Sequence, residues 1–498
     1  MRIRALSLIV SLLLILVALC PISQASPIAC TEIIAWLGAG VSSHRLAKVV
    51  RNAETNIDQS VETNHALRQA GATAELIAAV AEAPAALNFD PCSTKTSEVN
   101  QLLRSQQFDL AEPKLHDLVS TRPTSAALHF AMGFLRTKQG DIDSAFDEYS
   151  TAKELMPEFP ETHARLAYVF YRYDDGDSAI AEARTALSMN PGNAEAYRYL
   201  GLGHSLNEAY KAALHAFQKS LAMEPESAET YYDMGITLRQ MGNTSGAMAA
   251  YREAIRRDPT SWEPHNNLGM IFHDLGDYEH AIGEYQAAKR IAPLEATARY
   301  NLGNTYWDQG DVAATINELR ELYRIHPDSK LGHHVLAMAF MAKHDYEHAI
   351  PELKLAIVAN PTNASAHRVL GQALLLSKSS TEAVRELRIA VALGPDSALS
   401  HHYLATALFQ AQSFDDAALE FREAVRLEPT ANNHYYLAGC LMSMGRNSEA
   451  LKELDLAAQM DPGQSLYRER KEELIRLIRS SSTSELSLPS HFEMNPAK

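Results

Sequence analysis

The feature that most constrains this chain is a proline that returns every 34 residues. It stands at Pro123, Pro157, Pro191, Pro225, Pro259, Pro293, Pro327, Pro361, Pro395 and Pro429, and Pro462 follows after 33, a one-residue deletion. Proline lacks a backbone donor and clashes with the preceding helical turn, so each one closes a helix. Between the prolines, apolar residues recur at helical spacing. From Trp262 to Glu295, Leu268, Gly269 and Phe272 share one face, and Ala281, Tyr285 and Ala288 share another. Gly276 and Asp277 separate the two. Small residues hold fixed places in the first helix: Gly133, Ala167, Gly201, Gly235, Gly269, Gly303, Ala337, Gly371, Ala405 and Ala438. Another row, twelve residues before most of the prolines, is alanine from Ala111 to Ala450, with Thr315 the one departure. Helix backbones approach closely where such residues meet. Each period therefore reads as a helical hairpin built for packing.

A 34-residue helix–turn–helix period with this small, aromatic and proline pattern resembles the tetratricopeptide repeat (TPR) family. The resemblance covers residues 92–463 as about eleven repeats, the first weakest because Val99 stands where a small residue belongs. It implies an all-α fold, a right-handed α-solenoid in which each repeat buries its faces against the next. It also implies a concave groove lined by the first helix of each pair. Carried onto this chain, the groove positions give Tyr168, Tyr171, Arg172, Arg198, Tyr232 and Arg239 toward the amino end. Repeats six to eight give Asn266, Asn267, Met270, Tyr300, Asn301, Asn304, Trp307, His334 and Met338, and Met341, Arg368, Gln372, His402, Tyr403 and Tyr435 lie with them or beyond. Asn267 and Asn301, one repeat apart, resemble two rungs of the asparagine ladder that holds peptide backbones in the TPR domain of O-linked sugar transferases; an amide both donates and accepts. Arg172, Arg198 and Arg239 suit an acidic segment or a chain-terminal carboxylate. The carboxylate clamp of chaperone-binding TPRs is absent, since its lysine–asparagine pair occurs in no single repeat.

The ends of the chain read differently. Residues 1–25 form a secretion signal by pattern: Arg2 and Arg4, an apolar run from Ala5 to Leu19, and Ser23-Gln24-Ala25 as a cleavage site. The expected mature chain is exported, to the periplasm, the outer membrane or the medium, with no membrane insertion after cleavage. Retention as an anchor and lipidation at Cys20 are the competing readings. Residues 26–91 form a small helical module outside the repeat register, with helices from Thr31, Ser43, Val61 and Thr73. Cys30 and Cys92 bracket it and are candidates for a disulfide, which persists in oxidising compartments. Cys440 reads as a small buried hydrophobe. Residues 464–480 read as a capping helix and 481–498 as a disordered tail.

Chemistry is scarce. Net charge of −16 opposes nucleic-acid binding, which needs a basic stripe. Neighbours on a helix point about 100° apart, so neither His333-His334 nor His401-His402 chelates one ion. Most of the histidines, His129, His265, His333, His367, His401 and His434, share the fourth repeat position and read as packing residues. Glu161, Glu195, Glu229 and Glu263 recur at the second position, in the first helical turn, where the helix dipole favours acids. No paired carboxylates converge as hydrolysis of a glycosidic bond requires. The expectation is a non-enzymatic protein-binding scaffold of the bacterial envelope, without cofactor or metal, holding an extended peptide or partner helix. A carbohydrate-handling protein using the groove aromatics, and a self-associating structural protein, are the rivals.

Overall fold

The computed structural model of the protein describes residues 28–53, 55–57, 59–83, 85–90 and 94–481, with backbone alone for 56, 85–90, 480 and 481. The signal segment, Cys92 and the tail beyond 481 lie outside the described residues. Twenty-seven α-helices and two short strands are present among them. The chain divides into two compact units, 1–259 and 260–498.

Repeats one to five fall in the first unit and six to eleven in the second. The helical pairs run from Thr94–Arg104 and Phe108–Thr121 to Ala431–Ser443 and Asn447–Met460, and Ser465–Ser481 packs on the last pair. The same local devices build each pair. In six of the eleven repeats the second helix is capped by an Asp or Asn side chain accepting from a backbone N–H three residues on, as Asp141 does from Ser144 (3.1 Å), Asp175 from Ser178 (3.0 Å) and Asp311 from Ala314 (2.9 Å). The turn between the helices always contains one left-handed residue. Glycine fills it at Gly140, Gly242, Gly276, Gly310 and Gly445, but Gln106, Asp174, Glu208, His344, Lys378 and Gln412 hold the same place at φ of 56–63°. The alanine row is fully buried from Ala111 to Ala450. Thr315 fits it because its hydroxyl donates back to the Asp311 carbonyl at 2.9 Å.

Wherever the small residue of the first helix is glycine, it faces a buried large side chain of the second. A Cβ added at Gly201 would lie 2.5 Å from the Phe217 ring, and one at Gly235 2.5 Å from Tyr251. Repeat one fits its valine: Val99 is buried in the core it shares with Leu103 and Leu115.

The amino-terminal module holds the expected helices, Cys30–Gly38, Ser43–Arg51, Val61–Gln69 and Ala74–Glu82. It departs from all-helical in one respect: Thr55–Ile57 and Ala85–Asp90 pair as short parallel strands. The module is fused to the array. Trp36 stacks on Phe159 with ring centroids 4.9 Å apart, and Asn100 donates to the Ile34 carbonyl at 2.7 Å. Gly38 allows this approach, for a Cβ there would meet the Asn100 backbone at 3.1 Å. Residues of the module and of repeats one to three form one apolar core, so the module covers the otherwise open first face of the array. Cys30 is disulfide-bonded, while Cys440 is a free, buried thiol whose pKa burial pushes up to about 12. Such a thiol is unreactive at neutral pH.

Candidate protein-binding faces

The histidines are the obvious metal candidates. His129, His163, His265, His333, His367, His401 and His434 each bring Nδ1 within 2.5–2.9 Å of a glutamate 19 residues on, in the second helix of the same repeat. In five of them Nε2 lies 2.9–3.2 Å from a backbone carbonyl, that of Pro123, Pro157, Ser329, Pro361 or Pro395. Carbonyls and carboxylates only accept, and at His129 and His163, where the glutamate and carbonyl hydrogen bonds outweigh burial and raise the pKa, the geometry fits a ring protonated on both nitrogens. Repeat seven makes the point with a permanent cation: Arg299 donates to Glu318 at 2.9 Å and to the Pro293 carbonyl at 3.2 Å. The packing role read from the sequence is therefore an ion-pair role as well. Among the described residues no group of three or more side chains could hold a metal ion. The adjacent histidines diverge as helical geometry requires. His402 bonds Asn433 at 2.8 Å, and burial lowers its pKa; burial and Arg368 lower that of His334.

The expected groove residues fall in both units. In the first unit, Arg172 donates to the Tyr168 hydroxyl at 3.1 Å. Tyr168 packs against Tyr171 and Tyr199, with centroids 6.2 and 5.4 Å away. Tyr232 and Arg239 lie on the helix Ala228–Gln240, Tyr232 against the Tyr251 ring at 6.0 Å. Arg198 is the correction. Expected to await an acidic ligand, it donates instead to Asp233 at 2.5 Å and to Glu229 at 3.2 Å. Arg165 likewise pairs with Glu195 at 3.1 Å, and Arg45 of the module with buried Glu161 at 3.6 Å. Three of the four second-position glutamates are thus ion-pair partners and not only helix-dipole acids. Burial raises the Glu161 carboxyl above the ordinary range against the pull of Arg45, and neither of its oxygens accepts a hydrogen bond.

In the second unit the asparagines bond to one another. Asn301 donates to Asn266 Oδ1 at 2.9 Å, and Asn266, itself buried, donates to Asn267 at 3.5 Å and lies 3.7 Å from the Met270 sulfur. One N–H of the expected upper rung is spent inside the wall. Asn304 Oδ1 and His334 Nδ1 are buried without a partner. Tyr300 is half-buried against the core. Beyond them Trp307, Met338, Met341, Arg368 and Gln372 converge from the first helices of repeats seven, eight and nine. They line an open pocket of about 320 Å³, which His344 of the following turn and Tyr346, the first residue of the next helix, complete. Those two were invisible as site residues because the resemblance places the groove on the first helix of each pair, not on the turn or the second helix. His402 and Tyr435, expected on the groove, are buried in the core.

Stacked helical hairpins with their first helices presenting such faces define a solenoid of the protein-binding class. The tetratricopeptide repeat model matches residues 165–228, 232–296, 334–398 and 403–465, more than half of the chain, and a second tetratricopeptide repeat model matches 296–329. The chain belongs to the tetratricopeptide repeat family, whose members are protein–protein interaction scaffolds. No curated protein matches it. Similar solved structures include a tetratricopeptide repeat protein from Parabacteroides merdae, at 16% identity and TM-score 0.36, covering 50% of this chain and 99% of that one. MamA aligns at 24% identity and TM-score 0.27 over 32% of this chain and 93% of its own. YrrB, described as a TPR protein with an unusual peptide-binding site, aligns at 20% identity and TM-score 0.29 over 45% and 98%. Among the described residues no helix is long and apolar enough to cross a membrane.

Proposed function

We propose that this protein is an exported, non-enzymatic scaffold of the bacterial envelope that holds an extended peptide or a partner's helix on the first-helix faces of its repeats. The observation that carries the reading is the convergence of Trp307, Met338 and Met341 on one open pocket in the second unit. Half-buried aromatics and methionines are the side chains enriched at interface centres, where desolvation concentrates binding energy. The neighbouring amides of Asn267 and Asn301 supply donors and acceptors for a backbone lying alongside. Export rests on the signal pattern of residues 1–25.

Crosslinking in native cells, followed by affinity capture and mass spectrometry, tests this. Wild type is compared with the triple variant Asn267→Ala, Asn301→Ala, Trp307→Ala, whose helicity and melting are checked first. Defined partners lost in a folded variant support the face as the site. The same partners retained would refute it. Amino-terminal sequencing of the native protein tests export, with Ser26 expected as the first residue.

A further inference from the structure

Arg368 stands apart from the other arginines that the repeats bury. Arg165, Arg198 and Arg299 each hold a carboxylate, at 3.1, 2.5 and 2.9 Å. Arg368 holds none. Its one hydrogen bond runs from Nη2 to the Ser365 hydroxyl at 3.3 Å. Burial lowers its pKa from the ordinary guanidinium value, and no carboxylate opposes that effect. The next cationic candidate, His334, is itself disfavoured in its charged form by burial and by Arg368. A half-buried cation without a counter-charge is costly, since desolvation is not offset by pairing. In a chain with an excess of sixteen negative charges, a vacant guanidinium in the wall of an apolar pocket is a feature that a ligand would complete.

We infer that the pocket formed by Trp307, Met338, Met341 and Arg368 takes an apolar side chain of a partner segment together with an adjacent Asp or Glu carboxylate. This rests on the proposal that this face binds a peptide, and adds the chemistry of the peptide. The apolar side chain lies among the indole and the two thioethers, whose flexible stems adapt to its shape. The carboxylate meets Arg368, whose planar fork matches it in a bidentate pair. Gln372, on the same helix as Arg368, lines the same pocket and bonds the Tyr403 side chain. The carboxylate belongs to an internal residue, not to a chain end. The pocket is open, and polar positions continue on either side of it, Asn301 and Asn304 in repeat seven and Tyr403 in repeat ten, so a strand passes through.

Full-length mature protein is titrated with short fluorescent peptides blocked at both ends. Each carries a central Leu, Met or Phe beside Asp or Glu, and a matched set carries Asn or Gln instead. A third set has the apolar residue followed by a free carboxyl terminus. The acidic set should bind wild type about ten- to a hundredfold more tightly than its amide isosteres, the range expected of charge-assisted hydrogen bonds. That advantage should vanish in Arg368→Gln, persist in part in Arg368→Lys, and survive Arg388→Gln, an exposed arginine on the second helix of the same repeat. Acidic and amide peptides binding alike, or an advantage kept by Arg368→Gln, would overturn the inference, as would a preference confined to the free-carboxyl set. If all peptides bind alike but lose affinity in Trp307→Ala, the face still binds peptides and only the acidic preference has failed. If no binding depends on Trp307, the reading of the face fails with it.

Discussion

Replacing His129 with glutamine isolates one rung of the histidine–glutamate series. The imidazole presents Nδ1 to Glu148 at 2.6 Å and Nε2 to the Pro123 carbonyl at 3.0 Å, with the side chain 11% exposed. The Glu148 hydrogen bond is the main cause that raises the His129 pKa, and burial opposes it. A folded pKa above the unfolded one means that the folded state holds the proton more tightly. The stabilisation is complete below the free-imidazole value of about 6.5 and fades as pH climbs through the folded value. A charge-assisted hydrogen bond contributes about 1.5–3 kcal/mol, and glutamine keeps only a neutral bond of about 1 kcal/mol. The expected loss is therefore about 1–2 kcal/mol at pH 6 and markedly less at pH 9. Because repeat arrays open locally, the assay is hydrogen exchange resolved to residues 126–155, each variant compared with wild type at the same pH. Glu148→Gln and the double variant complete the cycle and should show coupling at pH 6 only. Arg299→Gln, read by exchange over residues 296–325, is the internal control: guanidinium does not titrate in this range, so its loss should be the same at both pH values. An His129→Gln effect of equal size at pH 6 and pH 9 would refute the assignment of the ring as a cation.

Two further outcomes follow from the packing. Gly235→Ala drives a methyl into the buried Tyr251 ring, 2.5 Å from where its Cβ must lie, and should destabilise the first unit by about 1–3 kcal/mol in a melting experiment. Adding Tyr251→Leu should recover part of this, since buried Leu353 and Leu454 hold the equivalent place in the repeats whose first helices carry Ala337 and Ala438; a double variant no better than the single would count against the knob-and-hollow account. Arg45→Met removes the cation beside Glu161, whose side chain is 3% exposed, and stranding a buried carboxylate costs about 3–5 kcal/mol. Burial already raises the Glu161 pKa, so the penalty grows as pH rises above the ordinary carboxylate range. Urea unfolding should show a larger loss at pH 7 than at pH 5, and Glu161→Gln added to Arg45→Met should abolish that difference.

The architecture was legible because every device that makes it is local and repeated. The closing prolines, the buried alanine row and the small residue facing a large one recur in register, and each depends on i, i+3 and i+4 neighbours along one helix or on the helix next in sequence. Gly276 announced the turn. The same conformation at Gln106, Lys378 and Gln412 was carried by the period alone, because their side chains do not signal it. The histidines were read as packing residues, but their glutamates were not seen, since pairing across 19 residues depends on how the two helices of a repeat lie together.

The site was less legible. Sequence placed Arg198, Asn301, Trp307 and Met338 at groove positions, which is a statement about helical faces. Whether such a side chain is available depends on what reaches it from the next repeat. Arg198 is taken by Asp233 and Glu229, Asn301 reaches Asn266, and Arg45 crosses from a module outside the period to Glu161. The sequence by itself determined the repeat, the faces and the turns, because short-range sterics and periodic burial fix them. Only the tertiary structure decided which charges are spent and which, at Arg368, is left without a carboxylate, because long flexible side chains pair across stacked helices according to distances that no residue spacing encodes.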